Sequence, residues 1–212
     1  MQVRGRFITF EGIDGSGKTT QMHLLAGRLR AEGCDVFETV EPGGTAVGQQ
    51  IRRVLLDSAN QDLRPTTELL LYFASRAQNV EQCILPALHA QKIVLCDRFT
   101  DSTLAYQGYA RGLGAETVLA LDRIACQGLT PDLTILVDVD VDIGLARTRE
   151  RNACGPANET RLDDESQDFH RRVREAYLTI ARQYAGRFRV IDGRGAPETV
   201  AARVWENVVA HV

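Results

Sequence analysis

Phe7-Ile8-Thr9-Phe10-Glu11-Gly12-Ile13-Asp14-Gly15-Ser16-Gly17-Lys18-Thr19-Thr20 decides the fold. An apolar run reads as a buried strand, a glycine-rich turn follows, and Thr19 opens a helical pattern carrying Met22, Leu24, Leu25 and Leu29. Glycines let successive backbone N–H groups curl around phosphate oxygens, and the helix N-terminus adds its dipole. Lys18 supplies a point charge near the β and γ groups, and Thr19 offers a hydroxyl to Mg²⁺. Residues Gly12, Ile13, Asp14, Gly15, Ser16, Gly17, Lys18, Thr19 and Thr20 therefore form a phosphate loop for a nucleoside triphosphate.

Outward from the loop, the chain alternates. Gly33 is a left-handed helix stop, 35–40 reads as a strand, and Thr45 caps a helix through Ile51, Val54 and Leu55. A long helix is predicted over 67–90. Strands follow at 92–97 and 132–138, each ending in a carboxylate, with short helices near 102–107 and 115–126 between them. A fifth strand at 187–191 precedes a final helix. This rhythm predicts a P-loop NTPase fold, α/β, with a five-stranded parallel sheet, helices on both faces, and ligands at the strands' carboxyl ends. The polar, aperiodic stretch 151–164, with Gly155 and Pro156, predicts a mobile lid.

The 212 residues fit one domain spanning 1–212. A net charge of −3 argues against nucleic-acid or membrane partners, although arginine greatly outnumbers lysine, which occurs only at 18 and 92. The five cysteines form no C-x-x-C pair, which disfavours zinc and disulfides, and no leader or membrane span is apparent. A cytoplasmic protein with small-molecule partners is expected. Asp97, at the end of an apolar strand and followed by Arg98, is a candidate to join Thr19 in holding Mg²⁺.

Leu95-Cys96-Asp97-Arg98-Phe99-Thr100-Asp101-Ser102-Thr103-Leu104-Ala105-Tyr106-Gln107 resembles the signature segment of thymidylate kinases: an apolar pair, Asp-Arg-aromatic, a serine, then Ala-Tyr-Gln. The phosphate loop, the turn Glu41-Pro42-Gly43-Gly44-Thr45 and the segment Phe73-Ala74-Ser75-Arg76 are also similar to that family. The resemblance runs through almost the whole chain. It implies ATP-dependent phosphorylation of dTMP to dTDP by a homodimer, with helix 67–90 available for the interface. It further implies that Phe73 stacks on thymine, that Arg76 bonds its exocyclic oxygen, and that Ser102, Thr103 and Gln107 belong to the acceptor site. Arg98 and Arg52 would grip the monophosphate, Tyr106 would lie where a 2′-hydroxyl would clash, and Asp14 would reach the 3′-hydroxyl.

Lys18, Arg98, Asp14 and a lid arginine are then the expected catalytic residues. Eukaryotic-type members carry a basic residue in the phosphate loop where this chain has Gly15, so the charge must come from elsewhere. The segment Gly144-Leu145-Ala146-Arg147-Thr148-Arg149-Glu150-Arg151 resembles the bacterial type whose lid supplies it. Arg151 is the leading candidate, Arg149 and Arg161 are its competitors, and Arg147 is expected to flank the adenine. Two positions depart from the family pattern. Val40 stands where Arg is common, and Thr160-Arg161-Leu162-Asp163 stands for the usual acid-Arg-x-Glu, leaving Asp163 as the lid's acidic contact.

Overall fold

A computed structural model describes residues 5–154 and 160–211. Five parallel strands form one sheet in the order β2-β3-β1-β4-β5, with β1 Phe7–Glu11, β2 Val36–Val40, β3 Ile93–Asp97, β4 Leu133–Asp138 and β5 Phe188–Asp192. The expected architecture is thus observed. In the central strand β1 every residue is buried, so Phe7 and Thr9 face one helical layer and Ile8 and Phe10 the other. Ile8 and Phe10 pack with Met22, Leu25 and Leu29 of α1 (Lys18–Ala31). On the opposite side, Phe7 joins Val94 and sets the Phe99 ring against its own, edge to face at 5.0 Å.

The expected caps hold. Gly33 has φ +86°, and the Thr45 hydroxyl accepts from Gly48 N–H at 2.9 Å to start α2 (Ala46–Leu56). The helix anticipated over 67–90 is interrupted, however. It comprises α3 (Pro65–Asn79), a π turn over Val80–Ile84, and α4 (Leu85–His89). Pro86 offers no N–H to a regular ladder and its ring crowds the carbonyl of residue 82, so the chain widens just before it.

Next come α5 (Thr100–Thr103), a second π segment over Leu104–Ala110, and α6 (Ala115–Ala125). Thus residues 102–107, expected as one short helix, are divided between α5 and a wider turn. The lid boundary also moves: residues 151–154 continue α7 (Val141–Cys154) as regular helix. Gly155 and Pro156 lie outside the described residues. The chain then makes a turn over 161–165 before α8 (Gln167–Gln183), and α9 (Pro197–Val208) covers the α1 face. Helix α8 went unassigned in the sequence, although Phe169, Val173, Ala176, Tyr177 and Ile180 are buried at helical spacing. It packs on the π segment and carries Tyr177 to the site.

Candidate active site

The sheet register sets Phe10 beside Asp97, so β1 and β3 release their chains at the same edge, one into the phosphate loop and the other into Arg98. Within the loop, Gly12, Gly15 and Gly17 all have positive φ. Gly15 is also a packing requirement: a Cβ there would lie 2.1 Å from the Gly144 carbonyl oxygen of α7. A basic side chain at this position is therefore excluded by contact with the helix leading to the lid, and Arg147 Nη1 in that helix donates to Gly15 O at 3.4 Å.

Lys18, at the first turn of α1, lies 3.9 Å from Asp14. Burial and the nearby Arg98 lower the lysine's pKa, while Asp97, Asp14 and Glu11 oppose this. Burial alone would raise the Asp14 carboxyl, but Arg98, Lys18 and the Tyr106 hydroxyl hold it well below the ordinary range. Asp14 is thus an ionised acceptor. It takes bonds from Arg98 Nη2 at 2.6 Å and Tyr106 OH at 2.8 Å.

Arg98 has φ +71°, a left-handed conformation that is costly for a side chain with a Cβ and is tolerated where surrounding bonds dictate it. Its Nη1 donates to Gly12 O at 3.1 Å, Ser102 Oγ at 3.0 Å and Tyr177 OH at 3.1 Å. Behind it, the fully buried Glu11 accepts from Phe99 N–H, Ser102 Oγ and Tyr177 OH at 2.7, 2.6 and 3.0 Å. Burial and the charge of Asp101 push the Glu11 pKa up to about 7.

The Thr19 hydroxyl donates to Asp97 Oδ2, and Asp97 Oδ1 is buried without a hydrogen-bond partner. A hydroxyl beside an unsatisfied hard oxygen suits Mg²⁺, which needs few protein ligands when phosphates supply the rest. The two metal candidates are therefore brought together.

A cavity of about 620 Å³ extends from Lys18, Thr19 and Asp97 past Asp14, Arg98, Arg52 and Tyr106 to Tyr72, Arg76, Thr103 and Gln107. Arg76 is only 2% exposed; its Nε bonds Glu41 at 2.5 Å and its Nη2 donates to Thr103 Oγ1 at 2.9 Å, while Nη1 is a buried donor with no partner. Phe73 is not on the cavity wall. It is buried in the core with Leu69, Leu104 and Phe169, its ring 5.0 Å from the Arg76 guanidinium. The α3 aromatic on the cavity wall is Tyr72, one residue earlier and about 100° around the helix, so the structure does not bring Phe73 to the cavity as the sequence reading expected.

Among the three lid arginines, only Arg151 lines this cavity, where its Nη2 lies 2.9 Å from Asp163. Arg149 faces a separate, smaller cleft, and Arg161 is buried, with Nη2 2.7 Å from Glu68 and Nε bonded to Leu55 O. Arg161 is thus anchored beneath the lid. Glu68 and Tyr177 were not singled out in the sequence, and Glu11 and Glu41 entered only as members of quoted motifs. For Tyr177 the amphipathic spacing of α8 was a usable signal, whereas Glu68 follows two threonines in the first turn of a helix, a usual place for an exposed carboxylate.

A cavity of nucleotide size, with a phosphate loop at one end and the buried Arg76 and partly buried Arg98 along it, defines a P-loop nucleoside-monophosphate kinase. Comparison with known proteins agrees: the family model described as "Thymidylate kinase" matches residues 10–204. The chain belongs to the thymidylate kinase family. It is 52% identical over 210 residues to a thymidylate kinase of Pelobacter propionicus, covering 98% of this chain and 94% of that protein. A thymidylate kinase of Geotalea uraniireducens is 52% identical over 200 residues, covering 93% and 94%. The crystal structure of thymidylate kinase from Ehrlichia chaffeensis superposes with a TM-score of 0.78 at 35% identity, covering 96% of this chain and 98% of that one.

Proposed function

We propose that the protein transfers the γ-phosphoryl group of ATP to dTMP, giving dTDP and ADP. One observation carries this reading: the phosphate loop and the base-side residues Tyr72, Arg76 and Gln107 open into one cavity, with Arg98 and Arg52 between them. ATP phosphates lie on the loop N–H groups and Lys18, while Arg147 borders the loop at Gly15 and flanks the adenine. Thr19 and Asp97 hold Mg²⁺, which when bound neutralises charge on the transferred group.

The acceptor monophosphate lies against Arg98 and Arg52, whose charges steer one of its oxygens toward the γ-phosphorus. That oxygen is ionised at neutral pH, so no side chain need remove a proton, and Asp14 is left to orient the 3′-hydroxyl and fix Arg98. Tyr106 narrows the floor under the sugar. Arg76 Nη1 supplies the missing partner for a thymine carbonyl, with Ser102 and Thr103 setting the adjoining guanidinium groups. Lys18 and Arg151 stabilise the spreading negative charge, and closure of the lid excludes water.

The family reading further proposes a cytoplasmic homodimer, in keeping with the exposed apolar Val47, Val54 and Leu70 on α2 and α3; a monomeric mass on sedimentation would remove the dimer. The deciding assay incubates the protein with Mg²⁺, ATP and each common nucleoside monophosphate or thymidine, with products separated by chromatography. dTDP is expected as the dominant product. Faster phosphorylation of thymidine, AMP or CMP would overturn the assignment.

A further inference from the structure

Glu68 stands on α3 one turn before Tyr72 and two turns before Arg76, so the three residues share one stripe of the helix. Tyr72 and Arg76 line the cavity; Glu68 stands behind it, 1% exposed. Buried carboxylates need partners, and this one has three. Gln107 Nε2 donates to Oε1 at 2.8 Å, Arg111 donates through Nε and Nη2 at 3.3 Å each, and Arg161 Nη2 lies 2.7 Å from Oε2.

We propose that Glu68 is a positioning residue for base selection: by claiming the NH₂ end of Gln107, it leaves the Gln107 carbonyl oxygen as the group offered to the acceptor base. The proposal rests on the dTMP reading above. An amide can present either end to a ligand, and in isolation neither is preferred. An ionised carboxylate only accepts hydrogen bonds, so the end of Gln107 facing Glu68 must be the donor. Burial alone would raise the Glu68 carboxyl, but Gln107, Arg111 and Arg161 together lower its pKa and keep it ionised.

The consequence is a matched pair in the cavity. Arg76 Nη1 is a donor without a partner, and the free end of Gln107 is an acceptor. Thymine presents a carbonyl oxygen at C4 and an N–H at N3, which complement that pair. Cytosine presents an amino group and a bare N3, both of the wrong sense. Glu68 thus sets the hydrogen-bonding polarity of the cavity wall without touching the nucleotide, and a buried mismatch of this kind is heavily penalised.

Steady-state kinetics with dTMP and dCMP test this. In Glu68→Gln the partner can donate as well as accept, so Gln107 is free to turn. KM for dTMP is expected to rise with little change in kcat, and the dTMP to dCMP ratio of kcat/KM to fall at least about tenfold. Gln107→Met, which removes the acceptor and leaves Glu68 with both arginines, is expected to lose the same discrimination. Adding Glu68→Gln to Gln107→Met should change the ratio no further.

A Glu68→Gln variant in which both nucleotides lose activity equally, or a double variant whose losses add, would overturn the proposal and leave Glu68 a structural residue. Should Glu68→Gln be too unstable to assay, an unaltered ratio in Gln107→Met overturns it equally. Failure of the dTMP reading itself shows separately, as absence of dTDP formation by the unsubstituted protein.

Discussion

At the acceptor end of the cavity Arg98 bonds Gly12, Asp14, Ser102, Tyr106 and Tyr177, and Arg76 is fixed by Glu41 and Thr103. At the lid end Arg151 is 58% exposed and is bonded to Asp163 and its neighbour Asn152. On the proposed function, the difference separates two tasks. Recognising a small planar base and a monophosphate requires donors already in place, because ordering them at each encounter would weaken binding. Neutralising a charge that appears only during transfer requires a donor able to arrive late, and an exposed arginine with only surface partners has that freedom.

The largest effect that would sharpen this contrast is on Arg151. With Gly15 unable to carry a side chain, Arg151→Ala is expected to lower kcat about 10³-fold or more at saturating substrates, with dTMP and ATP affinities little changed, as for an arginine finger. Arg161→Ala should instead lower stability, since it removes a buried partner of Glu68. Single-turnover kinetics together with melting curves for the two variants check this. Equal loss of kcat in both at unchanged stability would break the division between anchored and mobile arginines.

An intermediate effect distinguishes neighbours on α3. Tyr72→Ala is expected to cost about 1–3 kcal/mol of dTMP affinity through lost base stacking, with the melting temperature nearly kept. Phe73→Ala should cost about 3–5 kcal/mol of folding stability through a core cavity. Calorimetric titration beside denaturant unfolding reads both quantities. Preserved dTMP affinity in Tyr72→Ala would return the stacking role to another wall of the cavity.

The smallest effect concerns the buried base of the Arg98 network. Glu11 has its pKa raised to about 7 in the folded protein, so the folded state binds the proton more tightly than the unfolded one. Its contribution to stability is therefore fully present below the ordinary glutamate range and is lost as pH rises through about 7. Glu11→Gln, which cannot ionise, should flatten this slope: relative to the unsubstituted protein its stability should improve between pH 5 and pH 8. Parallel pH profiles from chemical unfolding would show that Glu11 does not titrate there.

The phosphate loop, the parallel sheet implied by alternating elements, and the Asp97–Arg98 pair were legible because each rests on local patterns: a glycine spacing, an apolar run, a carboxylate at a strand end. The structure brings Asp14, Lys18 and Thr19 of the loop and the Asp97–Arg98 pair to one cavity. Residues 72 and 73 were not separable in the same way. Both are aromatic, both lie in one helix, and only the packing of α3 against Leu104 and Phe169 decides which ring turns inward.

The lid arginines repeat the lesson, since Arg149, Arg151 and Arg161 look alike in sequence. Their placements differ through partners distant in the chain: the buried Glu68 holds Arg161, whereas Arg151 lies at the cavity beside Asp163. Glycine spacing and apolar periods were enough for the parallel sheet and the chemical class of the site, because they constrain nearby φ and ψ directly. Tertiary structure alone decided which side chains face the nucleotide and which hold those that do. Side-chain direction changes by about 100° per helical residue, and charge partners are chosen by proximity in space.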